Sequence, residues 1–432
     1  MSGKKSAGSL PGFRDLYPEN CAVRNYLFGI VRDLCRCYGF QEYEGPTLES
    51  TDLYRKKSGD EVVEQLFAFT DRGERDVALR PELTPTLARM IAARQRDYKK
   101  PMRWFSIGSF FRYERPSKGR LREFYQFNCD ILGESAVEAE AELIALSIDL
   151  MRRLGFTKEH FAVRLSDRRV WTDYLKKEGI SDGHTDAFLQ IIDKLERVKP
   201  EVSDQGLKAM GLSLDKIRAF MESGEGGGEW FENLCRPLKA RGMADYVELD
   251  LGIVRGLAYY TGTVFEVFDK GRNLRAVAGG GRYDQLIGTL SDGKAELPAA
   301  GFAMGDVVVT ELIDETPVAK ARMKAALADS AAVDAYVVVA DETKRDVAFD
   351  AVQRLREKGL SVHYSFSPLK VGKQFQVAEQ AGARVAVVLG SEFPLIKVKN
   401  LSRREERECE GLDALPDLVR TLVRESMPSS RS

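Results

Sequence analysis

Residues 104–132, WFSIGSFFRYERPSKGRLREFYQFNCDIL, decide the fold of this chain. Two runs rich in aromatic side chains, 104–113 and 124–132, flank a basic segment, 115–122, that contains Pro, Ser and Gly. Runs of this composition on either side of a turn are typical of paired β-strands. The stretch therefore predicts a β-hairpin with a long, charged loop.

Polar side chains share faces along this hairpin. Successive residues of a strand alternate between faces, which predicts a common face for Arg112 and Glu114. On the returning strand, Phe124, Gln126 and Asp130 share a face by the same rule. A single Arg–Glu pair is most simply a surface salt bridge. A mixture of cation, carboxylates, amide and aromatic ring is costly to bury without a partner, so we predict a ligand site.

Further elements are predicted on either side of the hairpin. Apolar residues recur at helical spacing over residues 19–38, and residues 40–44 then read as a strand. Downstream, Ser135 and Glu138 form a capping-box pattern, which predicts a helix that ends at Leu154. A helix thus precedes the hairpin and another follows it.

The composition and the predicted secondary structure of the chain change after residue 167. Residues 168–250 are charged and mostly helical, broken by the glycine-rich segment 224–228, and we interpret them as a helical insertion. Strand-like sequence returns at 264–268 and 274–277. The glycines at 279–281 favour close backbone packing or a bulge.

The last quarter of the chain is predicted to be a separate α/β domain. Residues 316–332 read as a linker. Strands and helices then alternate, with strands at 335–339, 361–364 and 384–389 and helices at 343–358 and 371–381. This alternation is typical of a parallel sheet covered by helices.

Composition excludes several classes of protein. Lys and Arg total 65 against 66 Asp and Glu, and 9% of residues are aromatic, which is unlike a disordered chain. The apolar runs are too short to span a bilayer, and the N-terminus lacks a secretory signal. Six scattered cysteines favour reduced thiols. The neutral balance counts against a general nucleic-acid binder.

Signatures of other chemistries are missing from the sequence. It contains neither a GxxxxGK[ST] segment nor a strand-linked GxGxxG. The three histidines lie far apart and none has a ligand-like neighbour, so no metal-binding residues are predicted. The polar hairpin remains the candidate site.

FRYERP at 111–116 and RLREFYQ at 120–126 resemble motif 2 of the class II aminoacyl-tRNA synthetases, in the version belonging to the histidyl-tRNA synthetase family. LRPELT at 79–84 resembles the amino-acid-binding segment of that family. VRGLAYYT at 254–261 resembles its histidine-specific signature, and GGGRYD at 279–284 the strand turn that follows.

The resemblance implies an architecture for the whole chain. Residues 19–46 are similar to motif 1, which builds the dimer interface in the family, so a homodimer is expected. The implied fold class is α+β. It comprises a class II antiparallel-sheet catalytic core over 1–167 and 251–325, a helical insertion over 168–250, and a C-terminal α/β anticodon-binding domain over 333–425.

The implied reaction is ATP-dependent activation of L-histidine to histidyl-adenylate, followed by transfer to the 3′ end of histidine tRNA. Arg112 would hold the α-phosphate of ATP and the histidine carboxylate, with Arg255 opposite as the second catalytic residue. Glu114 would bind the adenine amino group, and Phe124 would lie against the adenine ring. Arg120 completes the ATP-binding set, and pyrophosphate would leave with Mg²⁺.

The resemblance also implies a set of histidine-binding residues. Glu82 and Thr84 would bind the α-ammonium group, while one carboxylate and three tyrosines would surround the imidazole. The full set is Glu82, Thr84, Arg112, Gln126, Asp130, Arg255, Tyr259, Tyr260 and Tyr283. Polar groups around both ring nitrogens reject apolar isosteres, which would leave those groups without partners. Taken singly, Tyr259 and Tyr283 are also consistent with core aromatics.

Two positions depart from the family pattern. Residues 298–305 resemble the start of motif 3, but Val308 stands where the family has an ATP-contacting arginine. Ala258 stands where many members have Asp. We expect Arg120 or another arginine of the motif 2 loop, with Mg²⁺, to supply the missing charge.

The departures leave a second interpretation open, a catalytically silent paralogue that binds histidine as a signal, like the regulatory subunit of ATP phosphoribosyltransferase. Arg112, Glu114, Arg255 and the C-terminal domain favour the enzyme. The expected partners are histidine, ATP, histidine tRNA and a second copy of the chain, with no membrane. The expected location is the cytoplasm, and an organelle such as the mitochondrion stays open.

Overall fold

The computed structural model describes residues 8–55, 65–195, 198–254, 259–271 and 274–426. The chain divides into two compact units, Met1–Met323 and Lys324–Ser432. The boundary falls inside a helix, Pro317–Ala331, where the sequence predicted a linker. This segment is rich in alanine, the strongest helix former, so it continues as a helix.

The first unit contains both helices and strands. Its helices are α1 (Pro18–Cys37), α2 (Thr51–Arg55), α3 (Thr84–Arg94), α4 (Glu138–Leu154), α5 (Arg168–Lys177), α6 (Thr185–Lys194), α7 (Pro200–Lys208), α8 (Leu214–Ser223), α9 (Gly228–Ala240), α10 (Leu286–Leu290) and α11 (Asp306–Glu315), and α12 (Pro317–Ala331) crosses the boundary. Its strands are β1 (Gln41–Glu42), β2 (Leu48–Ser50), β3 (Phe67–Thr70), β4 (Asp76–Leu79), β5 (Met102–Phe111), β6 (Glu123–Leu132), β7 (Phe161–Asp167), β8 (Val247–Leu249), β9 (Thr263–Asp269), β10 (Ala278–Arg282) and β11 (Ala299–Gly305).

An eight-stranded sheet in the order β1-β5-β6-β11-β10-β9-β7-β8 forms the centre of this unit, and β2-β4-β3 form a smaller sheet. The predicted hairpin is confirmed, since β5 and β6 pair antiparallel along their whole length. The strand predicted at 40–44 is reduced to β1, which pairs parallel with β5. Because β5 ends at Phe111, Arg112 and Glu114 lie beyond the strand, and the strand alternation on which their shared-face prediction rested does not extend to them.

Helix α4 is buried along most of its length, as its apolar periodicity predicts. Gly155 ends it in the left-handed conformation, at φ 103°. The predicted capping box is wrong, because Val137 occupies the N-cap and no side chain caps the helix. Instead, the Glu134 carboxylate accepts the backbone N–H of Ala136 at 2.9 Å, which fixes the turn before the helix.

The glycines at 279–281 lie inside β10 rather than after a strand at 274–277. A Cβ on Gly280 would lie 2.2 Å from the Gly301 carbonyl oxygen and 2.4 Å from the Phe302 Cβ. The prediction of close backbone packing is therefore confirmed. The strand itself was misplaced because glycine has low strand propensity, and here tight packing between β9 and β11 overrides propensity.

Helices α5 to α9 follow one another between residues 168 and 240, and α5 to α8 contribute to a core that includes Trp171, Phe188 and Ile217. Gly224, at φ 74°, ends α8 at the predicted break. A short strand, β8, then pairs parallel with β7, an element that the sequence pattern did not predict.

The second unit is built on a five-stranded sheet in the order β13-β12-β14-β15-β16. Its strands are β12 (Ala335–Val339), β13 (Val362–Tyr364), β14 (Val385–Leu389), β15 (Leu395–Asn400) and β16 (Glu405–Glu410), and its helices are α13 (Arg345–Glu357), α14 (Val371–Gln380) and α15 (Leu415–Ser426). The predicted alternation is confirmed, since β13, β12 and β14 are parallel. Two antiparallel strands extend one edge.

Candidate active site

A cavity over the central strands of the eight-stranded sheet collects most of the predicted histidine-binding residues. It is lined by Glu82, Thr84, Arg112, Gln126, Asn128, Asp130, Tyr259, Tyr260, Gly279, Tyr283, Gly301, Phe302 and Ala303. Of the predicted set only Arg255 is missing, and Arg255, like Ala258, lies outside the described residues. Residues far apart in the chain thus share one space.

Asp130 and Tyr283 form a buried pair in this cavity. The Tyr283 hydroxyl donates to Asp130 Oδ1 at 2.6 Å. Burial raises the pKa of Asp130 to about 7, even though the hydrogen bond from Tyr283 acts in the opposite direction. Gly301 on β11 is the register partner of Asp130 on β6, and a Cβ on Gly301 would lie 1.9 Å from that same carboxylate oxygen. Gly301 is therefore required for this pair, and sequence reasoning missed it.

Glu82 and Tyr259 form a second buried pair. The Tyr259 hydroxyl donates to Glu82 Oε2 at 2.9 Å. Burial, followed by the nearby Glu82 charge, raises the pKa of the Tyr259 phenol well above its usual value. The Tyr259 ring also contacts Tyr260 at 5.0 Å and Tyr283 at 6.0 Å between centroids. The tyrosines therefore pack as core aromatics and line the cavity at the same time.

Arg112 connects this cavity to the motif 2 loop, residues 112–122. Its Nε donates to the Pro81 carbonyl at 3.0 Å, and its guanidinium carbon lies 5.4 Å from the centre of the Phe124 ring. In the described part of the chain, its two terminal nitrogens have no hydrogen-bond partner. They are the donors that an anionic ligand would meet.

The residues predicted to bind ATP are arranged differently. Glu114 and Arg120 form an ion pair within the motif 2 loop, and neither lines the cavity. Arg122 Nε donates to the Glu114 carbonyl at 3.0 Å, and its guanidinium lies over the Tyr113 ring. The pairing of Glu114 with Arg120 was not predicted, because a loop gives no periodic signal.

The motif 2 loop is docked on helix α11. The backbone N–H of Gly119 donates to Glu311 Oε1 at 3.0 Å, and Lys118 pairs with Glu315 at 2.9 Å. A Cβ on Gly119 would lie 3.6 Å from Val308 Cγ2. The loop therefore packs against the valine that stands where the family has arginine.

An N-terminal residue also reaches this region. Arg14 pairs with the buried Asp306 at 2.7 Å, and the other oxygen of Asp306 accepts the Tyr125 backbone N–H at 2.9 Å. Burial raises the pKa of Asp306, and Arg14 opposes that effect. Sequence reasoning missed both residues, since no periodicity links positions so far apart.

Arg80 in the LRPELT segment is a structural clamp. Its Nε donates to the Ser109 carbonyl at 2.9 Å and its Nη1 to the Gly45 carbonyl at 2.8 Å. A Cβ on Gly108 would lie 2.1 Å from Arg80 Nη2, so glycine is required there. Burial lowers the pKa of Arg80. The clamp fixes the segment that carries Glu82 against β5.

The chain is similar to known proteins over most of its length. A family profile described as Histidyl-tRNA synthetase matches residues 12–306, and one described as Anticodon binding domain matches residues 334–422. The histidine–tRNA ligase of Opitutus terrae is 41% identical over 425 residues, which cover 93% of this chain and 95% of the relative. The chloroplastic/mitochondrial histidine–tRNA ligase of Arabidopsis thaliana is 36% identical over 420 residues, covering 93% and 85%.

A solved structure shares the fold. The histidyl-tRNA synthetase of Nostoc sp. PCC 7120 superposes with a TM-score of 0.76 at 24% identity, covering 98% of this chain and 100% of that one. A catalytic core of mixed helices and sheets, a polar cavity on that core and an anticodon-binding domain define an aminoacyl-tRNA synthetase. With a profile that spans more than half of its length and relatives that match almost all of it, the chain belongs to the histidyl-tRNA synthetase family.

Proposed function

We propose that this chain activates L-histidine with ATP and transfers it to the 3′ end of histidine tRNA. The observation that carries the proposal is the cavity, in which two buried carboxylates and one guanidinium meet. These charges complement the ammonium, imidazole and carboxylate groups of histidine. Binding therefore orients the amino acid by its charges and by the donors of its ring.

Glu82 and Thr84 receive the α-ammonium group, with Gln126 beside them. Asp130 accepts an imidazole N–H, and Tyr283 keeps the carboxylate oriented through its hydroxyl. Tyr259 and Tyr260 enclose the ring. A ligand without ring nitrogens would leave Asp130 buried without a donor from the ligand, which penalises apolar amino acids.

Activation needs no strong general base, because the histidine carboxylate is itself the nucleophile. It attacks the α-phosphorus of ATP, and the P–O bond to pyrophosphate breaks. Arg112 stabilises the charge that develops on the α-phosphate, so its contribution is positioning and electrostatics. Arg255 is proposed to act from the opposite side. The adenylate is then attacked by a terminal ribose hydroxyl of the tRNA.

On the nucleotide side, Glu114 binds the adenine amino group and Phe124 lies against the ring. Glu114 must change partner for this, since Arg120 holds it in the structure. Release of Arg120 supplies a cation to the phosphates. We propose that this exchange compensates for Val308.

Mg²⁺ is proposed to arrive with ATP. In the part of the chain that the structure describes, no three His, Cys, Asp or Glu side chains form a metal cluster. Magnesium in such sites is commonly held by substrate phosphates together with one or two carboxylates. We therefore propose that the phosphates of ATP supply most of the ligands of the ion.

Membership of the family supports proposals for the partners and the location. We propose a homodimer through the motif 1 region and histidine tRNA as the RNA substrate of the C-terminal unit. None of the described helices has the length and apolar character that crossing a bilayer requires. We propose the cytoplasm as the location, with an organelle as the alternative, because the Arabidopsis relative is chloroplastic/mitochondrial.

The test is charging of a histidine tRNA transcript by the purified chain with labelled histidine and ATP. We expect histidine to be attached to the RNA in an ATP-dependent way. A regulatory paralogue would bind histidine without charging, and that result would contradict the proposal.

A further inference from the structure

Asn128 lines the histidine cavity but is absent from the predicted set of histidine-binding residues. It lies on β6 between Gln126 and Asp130 and is 5% exposed. Its amide nitrogen Nδ2 is buried and has no hydrogen-bond partner among the described residues. A buried donor without a partner lowers stability, and native structures contain few of them. The position of this donor at the wall of a cavity calls for a functional explanation.

Burial without a partner is not sufficient evidence for a ligand contact. Ser106, the register partner of Asn128 on β5, also has a buried hydroxyl without a partner in the described part of the chain, but it does not line the cavity. On β11 the register partner of Asn128 is Ala303, whose side chain forms no hydrogen bonds. Among the buried partnerless side-chain atoms of the described residues, only the Asn128 amide belongs to a cavity-lining residue. A molecule bound in the cavity is therefore the available partner for this amide.

The two tyrosine–carboxylate pairs of the cavity offer acceptors rather than donors to a ligand. The single phenol hydrogen of Tyr283 is donated to Asp130, and that of Tyr259 is donated to Glu82. An ionised carboxylate only accepts hydrogen bonds, so neither pair has a donor left. A neutral imidazole presents one N–H and one lone pair, and it therefore needs a donor as well as an acceptor. The Asn128 amide has the donor that both pairs lack.

The position of Asn128 along β6 indicates which ring nitrogen it would meet. Alternate residues of a strand lie about 6.5 Å apart on one face, so Gln126, Asn128 and Asp130 follow the length of a bound amino acid. The proposed function places the ammonium group beside Gln126 and the ring beside Asp130. In histidine, Nδ1 adjoins the ring carbon that carries the methylene group, whereas Nε2 lies at the far end of the ring. Nδ1 is therefore the nitrogen nearer to Asn128.

We propose that the Asn128 amide donates a hydrogen bond to Nδ1 of bound histidine while Asp130 accepts the Nε2–H, so that Asn128 determines specificity for the neutral ring. This inference rests on the proposed function, because that function places histidine in the cavity. Gln126 and Arg112 are assigned there to the ammonium and carboxylate groups. Asn128 thus adds a specificity-determining residue to the site.

The test measures the affinity of two amino acids for the purified full chain by calorimetry, without ATP or tRNA. One is L-histidine, and the other is L-3-(pyrrol-3-yl)alanine, in which C–H replaces Nδ1 and the N–H at the Nε2 position is kept. We expect the unaltered chain to bind histidine about fiftyfold more tightly, because the analogue leaves the buried amide without a partner. In Asn128→Leu and Asn128→Ala this preference should fall below about threefold.

Further measurements separate ligand recognition from a structural role. Because the amide has no partner in the ligand-free fold, Asn128→Leu should not lower the free energy of unfolding, as urea unfolding curves without ligand would show. Ser106→Ala removes the partnerless hydroxyl outside the cavity and is the matched control, which should keep the preference for histidine. Tyr260→Phe removes the third phenol hydroxyl of the cavity, and the ratio of the two affinities should stay unchanged in this variant.

Four outcomes would overturn the inference. They are an unchanged preference in both Asn128 variants, an equal loss of affinity for the two amino acids, loss of the preference in Ser106→Ala or only in Tyr260→Phe, and unfolding of both Asn128 variants. The last would make the amide a part of the fold. Binding of histidine with the expected preference but without ATP–pyrophosphate exchange would contradict the proposed function and leave the role of Asn128 standing.

Discussion

The two sides of the candidate active site hold their carboxylates in different ways. On the amino-acid side, Asp130 and Glu82 are buried and accept hydrogen bonds from the hydroxyls of Tyr283 and Tyr259. On the nucleotide side, Glu114 is paired with a guanidinium. A carboxylate held by a hydroxyl can accept a further hydrogen bond from a ligand without losing that partner, whereas one held by arginine must exchange its partner. We infer that the amino-acid side is preformed and that the nucleotide side rearranges.

Removal of Arg112 should impair both the amino-acid side and the nucleotide side of the site, because its guanidinium lies between the Pro81 carbonyl and the Phe124 ring. We expect Arg112→Ala to lower kcat for histidine-dependent ATP–pyrophosphate exchange about a thousandfold, the scale for loss of a preorganised donor to developing charge. Arg94→Ala, at an exposed arginine of α3, is the control. Equal rates for the two variants would remove Arg112 from the mechanism.

Asp130→Asn should damage the amino-acid side alone. The variant loses a charged acceptor that we place on the imidazole, and we expect kcat/KM for histidine to fall about fiftyfold. KM for ATP should change little, because Glu114 and Phe124 lie outside the cavity. Steady-state exchange kinetics with each substrate varied in turn measure both quantities. A parallel rise in both KM values would show that the two sides are not independent.

The pH dependence of unfolding tests whether Asp130 is as buried as the structure shows. Its pKa is raised from the usual 3.8 to about 7, so the folded chain binds more protons than the unfolded chain between these values. Stability from this group is present at low pH and is lost as pH rises toward 7. Between pH 5.5 and 8, the free energy of unfolding of the ligand-free chain should fall by about 2 kcal/mol more than that of Asp130→Asn. Urea unfolding curves of both proteins provide the measurement, and parallel pH profiles would show that Asp130 is solvated.

Arg120→Ala should have the smallest effect and should act on the nucleotide side. It frees Glu114 but removes the cation that we propose for the phosphates, so we expect KM for ATP to rise about tenfold with KM for histidine unchanged. Exchange assays with varied ATP measure this. Arg115→Ala and Arg122→Ala test the other arginines of the loop. If none of the three variants alters ATP kinetics, the compensation for Val308 is wrong.

The cavity residues that lie on strand β6 could be predicted from the sequence. Gln126 and Asp130 share a face of β6 because side chains alternate along a strand, and both line the cavity. The hairpin and the C-terminal alternation were predictable for the same reason, since their periodicity is local. The roles of these residues toward histidine stay predictions.

Contacts between distant segments could not be predicted. Arg14 and Asp306 form an ion pair although they lie near opposite ends of the sequence of the first unit. Gly301 lies opposite Asp130 because of the register between β6 and β11, and its missing side chain leaves space for the carboxylate. Such pairings depend on tertiary packing, which leaves no periodic trace in the chain. The β10 glycines were misplaced for a related reason, because packing against both neighbouring strands outweighed their weak strand propensity.

The most direct test of the preformed amino-acid side is the amino-acid dependence of ATP–pyrophosphate exchange by the purified chain. Histidine, phenylalanine and glutamine are each supplied with ATP, Mg²⁺ and labelled pyrophosphate. We expect exchange with histidine and, with phenylalanine and glutamine, rates at least about a thousandfold lower, since neither can pair with both Asp130 and the surrounding hydroxyls. Histidine binding without exchange, or comparable exchange with phenylalanine, would contradict it.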